Sequence, residues 1–342
     1  MGLDPDLEAV VAVVPGWRGH ESTITPIEAG RTNRNFRVEV DSEAFFLRLS
    51  DKDTALLGID RVAEYEAALA AAAAGVGPEV IAHLPEHGCL ITRWVPGEPL
   101  AEGDMEQESI LADVARVVST IHAGPKLPAS FDAFRIVEEY RRVSEERGVA
   151  IPAAFGPAHA HAARIEAAFA VAPVPPRPCH NDLLADNFLR GPDGFWLVDY
   201  EYSGMSDPFF DLGNLSINNG LSEGSQEALL HLTFGEVTDA HRARLRLMRI
   251  MSDFREAMWG VIQQALSTLD IDYVGYADKH FDRLSRSMAD RRFERWLDQA
   301  TEAICRVGRS RPGRDRRRRG RGCEHRVPPG RPRLVRRRAG GP

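Results

Sequence analysis

The loop Cys179-His180-Asn181-Asp182-Leu183-Leu184-Ala185-Asp186-Asn187 carries residue types that phosphoryl transfer needs. Asp182 can accept a hydrogen bond from an acceptor hydroxyl and take its proton late in transfer. Asn187, five residues on, offers a neutral oxygen to a metal ion, and Asp199, twelve residues further at the end of an apolar run, offers a carboxylate. Hard oxygen ligands of this kind suit Mg2+, which neutralises nucleotide phosphates. Each residue alone is ordinary, because Asp and Asn in loops usually form turns. The joint spacing points to transfer from a magnesium-nucleotide to a hydroxyl. Asp186 competes with Asn187 as a ligand; Asn187 is favoured because Phe188-Leu189 starts a buried strand behind it. His180 reads as a prop for the loop. Asp207 and Asp211 read as structural, capping a helix start or pairing with basic groups near the loop.

Upstream, Gly30, Thr32 and Asn33 lie in the turn Ala29-Gly30-Arg31-Thr32-Asn33-Arg34-Asn35. Such a turn can direct backbone N–H groups and small polar side chains at phosphates, with charge from Arg31 and Arg34. Arg48 interrupts an otherwise apolar strand, Phe45-Phe46-Leu47-Arg48-Leu49. A buried cation there needs a partner. Glu64 on the following helix is the candidate and Glu66 the alternative; an Arg–Glu pair there would hold the α- and β-phosphates.

These residues need a scaffold. Alternating text predicts strands at 22–27, 35–40, 44–49, 78–84 and 89–95. A helix is expected from Ile59-Asp60, with Asp60 as N-cap, through the alanine tract to Gly75, and a short opening helix over 7–14. Pro96-Gly97-Glu98-Pro99 is the candidate hinge. Beyond it, apolar spacing predicts helices over 105–123, 134–147, 157–171, 241–269 and 273–304. The expected fold is α+β and bilobal, with a small antiparallel-sheet N-lobe (1–95) and a larger, mostly helical C-lobe (96–305). Residues 306–342, crowded with Arg, Gly and Pro, read as a disordered basic tail. That composition fits an arm for nucleic acid or an anionic membrane, but it reads better as an unselected or frame-shifted terminus of a GC-rich gene.

At 342 residues the chain can bury a sizeable core, and its net charge of −7 argues against nucleic acid as a partner except through that tail. Four scattered cysteines without a Cys-x-x-Cys pair indicate neither a zinc knuckle nor a disulfide framework. The acidic N-terminus lacks a secretory pattern, and the apolar run Ala67 to Val76 is too short to span a bilayer. A cytoplasmic protein with no membrane partner is expected; the oligomeric state is not legible.

From about Ile24 to Leu284 the chain resembles the choline/ethanolamine kinase family, within the aminoglycoside phosphotransferase-like kinases. The resemblance rests on Gly30 to Val38, Phe46-Leu47-Arg48-Leu49, Gly75 to Val80, His180 to Asn187, Val198-Asp199-Tyr200-Glu201-Tyr202, Phe210 to Asn214, and Met258 to Gln264 with Asp272 to Ala277 downstream. It implies a protein-kinase-like fold, ATP and Mg2+ as cofactors, Asp182 as base, Asn187 and Asp199 as metal ligands, and adenine against the backbone of Arg93-Trp94-Val95. It implies a small amino alcohol as acceptor, choline first and ethanolamine second. Trp259 and Tyr276, with Tyr273 nearby, stand where family aromatics surround a quaternary ammonium by cation–π attraction. Glu201 and Asn218 complete the expected substrate set. The sequence departs from animal choline kinases at Asn218, where they carry an acidic residue, at Glu256, where they carry a further Trp, and at Arg31. The rival readings are a kinase for an aminoglycoside or another amine-bearing alcohol, and a catalytically silent kinase-fold scaffold or nucleotide sensor.

Overall fold

The computed structural model describes residues 5–27, 33–50, 54–192 and 194–304. Gly30, Arg31 and Thr32, and the Arg-rich tail, lie outside the described residues. Helix α1 (Pro5–Val13) precedes β1 (Ser22–Ile27), β2 (Asn33–Val40) and β3 (Glu43–Ser50). Helix α2 (Arg61–Ala73) follows, then β4 (Val80–Leu84) and β5 (Cys89–Arg93). These five strands form one antiparallel sheet in the order β1-β2-β3-β5-β4.

Side-chain alternation divides the sheet between two partners. Phe45, Leu47 and Leu49 of β3, with Val38, Val40, Cys89 and Ile91, pack against Leu7, Val10, Val14 and Trp17. The same alternation turns Arg48 to the opposite face, where α2 lies. Helix α2 shows that face Ala63, Ala67, Ala68 and Ala71, small residues that let it lie close, and Glu64 among them. Asp60 caps it as expected: one carboxylate oxygen accepts from the backbone N–H groups of Val62 (2.9 Å) and Ala63 (3.0 Å). Removing such a cap costs about 1 kcal/mol.

After the short β6 (Glu98–Pro99) come α3 (Glu108–His122), α4 (Ala133–Glu146) and α5 (Phe155–Val171). Then β7 (Arg177–Cys179) leads into the His180 loop, followed by the hairpin β8 (Phe188–Gly191) and β9 (Gly194–Leu197) and by β10 (Gly204–Ser206), which pairs with β7. Helices α6 (Pro208–Asn218), α7 (Glu223–Phe234), α8 (Asp239–Leu266), α9 (Tyr273–Met288) and α10 (Phe293–Ala300) complete the helical lobe. The 28-residue α8 is its axis, with α4, α6, α9 and α10 packed around it. It is therefore buried on every side along most of its length, as a helix surrounded by others must be.

The bilobal expectation holds; several boundaries differ. Residues 273–304 do not form one helix. Asp290 breaks it: its carboxylate accepts from the Arg292 N–H (2.8 Å) and its carbonyl from the Phe293 N–H (2.9 Å), which starts α10 afresh. A 3-10 turn at Asp104–Glu106 precedes α3, so that helix starts at Glu108 rather than Met105. Strand β5 ends at Arg93, leaving Val95 beyond the ladder. Apolar spacing does not foretell α7, and it foretells α6 only through the helix start that Asp207 caps. Among the described residues no helix is long and apolar enough to cross a membrane.

Candidate active site

The His180 loop is held from behind by α6. Asp211 accepts the backbone N–H groups of His180 (3.0 Å) and Asn181 (2.6 Å), and hydrogen-bonds His122 Nε2 of α3 (2.8 Å). Asn214 Oδ1 accepts the Leu183 N–H (2.6 Å), and Asn219 Nδ2 donates to the Leu183 carbonyl (2.9 Å). Asn181 takes a left-handed backbone (φ +66°), which its short amide side chain tolerates, and donates from Nδ2 to the Tyr202 carbonyl (3.0 Å). Burial alone would raise the Asp211 pKa. The His122 hydrogen bond and charge, with His180 and the Asn181 N–H, instead hold it below the ordinary carboxylate value. His122, Cys179 and Asp211 come within metal-ligating distance of one another. Asp211 already takes three N–H donors, and burial pushes the Cys179 thiol well up, so the cluster works as a brace. Asp207 is the N-cap of α6, accepting the Phe209 N–H at 2.9 Å.

The loop gathers Asp182, Asn187 and Asp199. Asn187 Nδ2 donates to the Asp182 carbonyl (2.8 Å), and the Asn187 carbonyl accepts the Val198 N–H (3.0 Å). Asn187 is buried while Asp186 is exposed. His180 Nε2 bonds the Val198 carbonyl (3.0 Å), tying the loop to the strand end that presents Asp199. Asp199 has φ +66°, an uncommon conformation for a non-glycine residue and one that clusters at functional sites. Burial pushes the Asp182 carboxyl up to about 7; Arg255 works against the shift, and the charges of Glu256 and Glu201 add to it. Water still reaches Asp199 from the cleft, since its side chain is 39 % exposed. Enclosure by the cleft floor and the Glu201 charge nonetheless raise its pKa, with Arg48 opposing.

From the strand side, Arg48 pairs directly with Glu64 and reaches to 3.8 Å from Asp199 Oδ1. Glu66 is exposed, so Glu64 is the partner. Arg61, at the first position of α2, joins them: it bonds Glu64 (2.8 Å) and Asn33 Oδ1 (3.0 Å) and lies 3.5 Å from Glu201. Asn33 Nδ2 donates to Glu201 (2.9 Å). The carboxylate of Glu201 thus meets the start of β2 and the start of α2. The Arg93 side chain is committed to Glu79 (2.7 Å) and Glu43 (2.9 Å) at the surface.

On the other side of Asp182 stands an aromatic cluster. The Trp259 ring meets Tyr273 and Tyr276 edge-on, with centroids at 5.9 Å and 5.5 Å. Trp259 Nε1 donates to the Tyr202 hydroxyl (3.0 Å), Tyr273 bonds Ser267 (2.8 Å), and the Tyr276 hydroxyl donates to Glu256 (2.8 Å). Gly260 is required here, since a Cβ would come within 2.9 Å of the Tyr276 ring. Asn218 lies between Arg283, which donates to it at 3.0 Å, and Glu256 at 3.5 Å. Sequence reasoning does not single out Arg255 or Arg61, and it quotes Tyr202 within a matched motif without giving it a role. Arg255 lies 3.2 Å from Asp182 and 2.7 Å from Glu256, with its guanidinium 4.2 Å from the Tyr202 ring centroid. Its signal is faint but present: the adjacent charges Arg255-Glu256 stand within the apolar text around Phe254 and Ala257-Met258-Trp259.

The chain is similar in sequence and fold to known proteins. The model of the phosphotransferase enzyme family matches residues 23–247. The crystal structure of a choline/ethanolamine kinase family protein from Mesorhizobium loti is 31 % identical and superposes with a TM-score of 0.75, over 86 % of this chain and 98 % of that one. Choline kinase LicA from Streptococcus pneumoniae, at 19 % identity, shares the fold with a TM-score of 0.71 over 83 % of this chain and 97 % of that one. Protein LicA of Haemophilus influenzae is 26 % identical over 252 residues, 68 % of this chain and 90 % of that protein. The lobed architecture, matched over nearly the whole length of a relative this similar, makes the chain a member of the choline/ethanolamine kinase family of phosphotransferase enzymes.

Proposed function

We propose that this enzyme transfers the γ-phosphoryl group of ATP to the hydroxyl of a small amino alcohol, choline first and ethanolamine second. The observation that carries the reading is the convergence of Asp182, Asn187 and Asp199 on one cleft, with the Arg48–Glu64 pair reaching Asp199 from the opposite side. The donor set fits magnesium. The nitrogen of Asn187 is spent on the Asp182 carbonyl, which leaves its oxygen as a ligand, and Asp199 adds a carboxylate open to the cleft. When bound, the metal neutralises charge on the phosphates.

The remaining roles belong to the chain. Asp182 orients the acceptor hydroxyl and takes its proton, a task suited to a carboxyl whose pKa is pushed up to about 7 by burial. Arg48, fixed by Glu64, holds the α- and β-phosphates. Asn33 is assigned to the phosphates, a role the sequence also gives Gly30 and Thr32, and the backbone of Arg93 to Val95 receives adenine between an N-lobe of 1–95 and a C-lobe of 96–305. Trp259, Tyr273 and Tyr276 offer ring surfaces to a cationic nitrogen, with Glu201 and Asn218 adding polar contacts. The M. loti relative, named for choline and ethanolamine, and the LicA choline kinase support this class of acceptor.

A coupled ADP-release assay with choline, ethanolamine and kanamycin tests the reading. Turnover with choline or ethanolamine, weakened in Trp259→Ala, is expected. Turnover with kanamycin alone, or choline turnover untouched by Trp259→Ala, would overturn the substrate assignment.

A further inference from the structure

Helix α8 is buried around Asp182 by apolar side chains, yet it places a charged pair at its centre. Arg255 is 2 % exposed and Glu256 is 3 % exposed. Nη1 of Arg255 bridges Asp182 Oδ1 (3.2 Å) and Glu256 Oε1 (2.7 Å), while Nε and Nη2 have no hydrogen-bond partner. A buried guanidinium with orphaned N–H groups is a poor way to gain stability, because an apolar side chain of similar volume packs as well without the desolvation cost. Its geometry instead serves Asp182. With Oδ1 tied to Arg255, the carboxylate is held in one orientation and Oδ2 remains for the acceptor hydroxyl.

Arg255 is itself held from the aromatic side. Glu256 is fixed independently by the Tyr276 hydroxyl (2.8 Å) and Asn218 (3.5 Å). The Tyr202 ring lies 4.2 Å from the guanidinium, and its hydroxyl accepts from Trp259 Nε1 at 3.0 Å. A continuous set of contacts therefore runs from Tyr276 and Trp259 through Glu256, Tyr202 and Arg255 to Asp182. We propose that Arg255 is a positioning residue that orients Asp182 and, through Glu256, couples that orientation to the amine-binding cluster. The proposal rests on the reading of Asp182 as the base and of the Trp259 cluster as the amine site.

The test uses the full chain and the variants Arg255→Met, Arg255→Lys, Glu256→Gln and Arg255→Met/Glu256→Gln. Measured for each are kcat and KM for Mg-ATP and for the amino alcohol, Mg-ATP hydrolysis with water as acceptor, and the thermal midpoint. Misplacing the base in Arg255→Met is expected to lower kcat about 100-fold while KM for Mg-ATP stays within about threefold. Arg255→Lys, which can reach one carboxylate but not both, is expected to recover about tenfold of that loss. Glu256→Gln is expected to lower kcat about tenfold, and the double variant to be no worse than Arg255→Met, because both act through one link.

A kcat for Arg255→Met within about threefold of wild type would overturn the proposal, as would additive losses in the double variant. So would a kcat that follows the thermal midpoint alone, with no recovery in Arg255→Lys. Should Arg255→Met not fold, Arg255→Lys and Glu256→Gln decide: both folded with kcat within about threefold of wild type refutes it. If the wild type turns over neither alcohol, the substrate reading alone fails, and acceptor-independent Mg-ATP hydrolysis still reports the base in each variant.

Discussion

Asp211→Asn isolates what α6 does for the His180 loop. In the native chain one carboxylate oxygen accepts the Asn181 N–H at 2.6 Å; the other accepts the His180 N–H at 3.0 Å and bonds His122 at 2.8 Å. An asparagine has one accepting oxygen and one NH2 group. Placed one way, the NH2 faces the Asn181 N–H; placed the other, it faces the His180 N–H and the His122 ring. Either way at least one fully buried backbone donor loses its acceptor, which costs about 1–3 kcal/mol. Loss of the charge-assisted share of the surviving bonds brings the total to about 2–4 kcal/mol. The same change loosens the loop that aims Asp182, and a displacement near 1 Å there lowers kcat about 100-fold. Urea unfolding followed by circular dichroism measures the first effect, and steady-state kinetics at saturating substrates the second. A variant within about 0.5 kcal/mol of wild type, the usual range for a neutral surface change, with kcat within about threefold, would show that Asp211 is not the brace.

Arg48→Met leaves Glu64 buried with Arg61 as its remaining partner at 2.8 Å; it is expected to cost about 3 kcal/mol of stability and to raise KM for ATP. Arg48→Met/Glu64→Leu should regain most of that stability in thermal unfolding without regaining the KM; recovery of both would separate the pair from nucleotide binding. Burial holds the His180 pKa below the ordinary imidazole value, so the folded chain binds fewer protons than the unfolded one there. The stability due to neutral His180 is therefore complete above about pH 6.5 and falls as pH drops through the depressed folded value. His83 and His241 shift in the same direction, so His180→Gln should weaken the acid sensitivity of the thermal midpoint without abolishing it; an unchanged pH slope contradicts the assignment. Trp259→Leu, which keeps an apolar side chain but removes the ring, should raise KM for choline about tenfold and leave KM for ATP unaltered; equal shifts in both constants would mean that the ring only packs the lobe.

The Arg48 side of the cleft was the more legible half. Arg48 stands out because a lone charge in an apolar strand demands a partner, and the α2 cap at Asp60 fixes the helix phase that delivers Glu64 rather than Glu66. The same argument applies to Arg255, but there the text is helical, and one charged pair on a helix reads as its solvated face. Only the packing of α4, α6 and α9 around α8 removes that face, and those contacts join residues far apart in sequence. Asp207 and Asp211 were legible as structural acids, although which backbone groups they satisfy depends on how β7, α3 and α6 meet. The break at Asp290 was not legible, because an Asp that captures the Arg292 N–H has the same spacing as one on an exposed helix face.

The central claim is tested most directly by following the phosphorus itself. With Mg-ATP, choline and ethanolamine, 31P NMR should show the γ-phosphate signal replaced by a phosphomonoester of the alcohol, and Asp182→Asn should abolish that transfer while Mg-ATP still binds. Loss of the γ-phosphate only as free inorganic phosphate, or a phosphomonoester formed equally well by Asp182→Asn, would contradict the account.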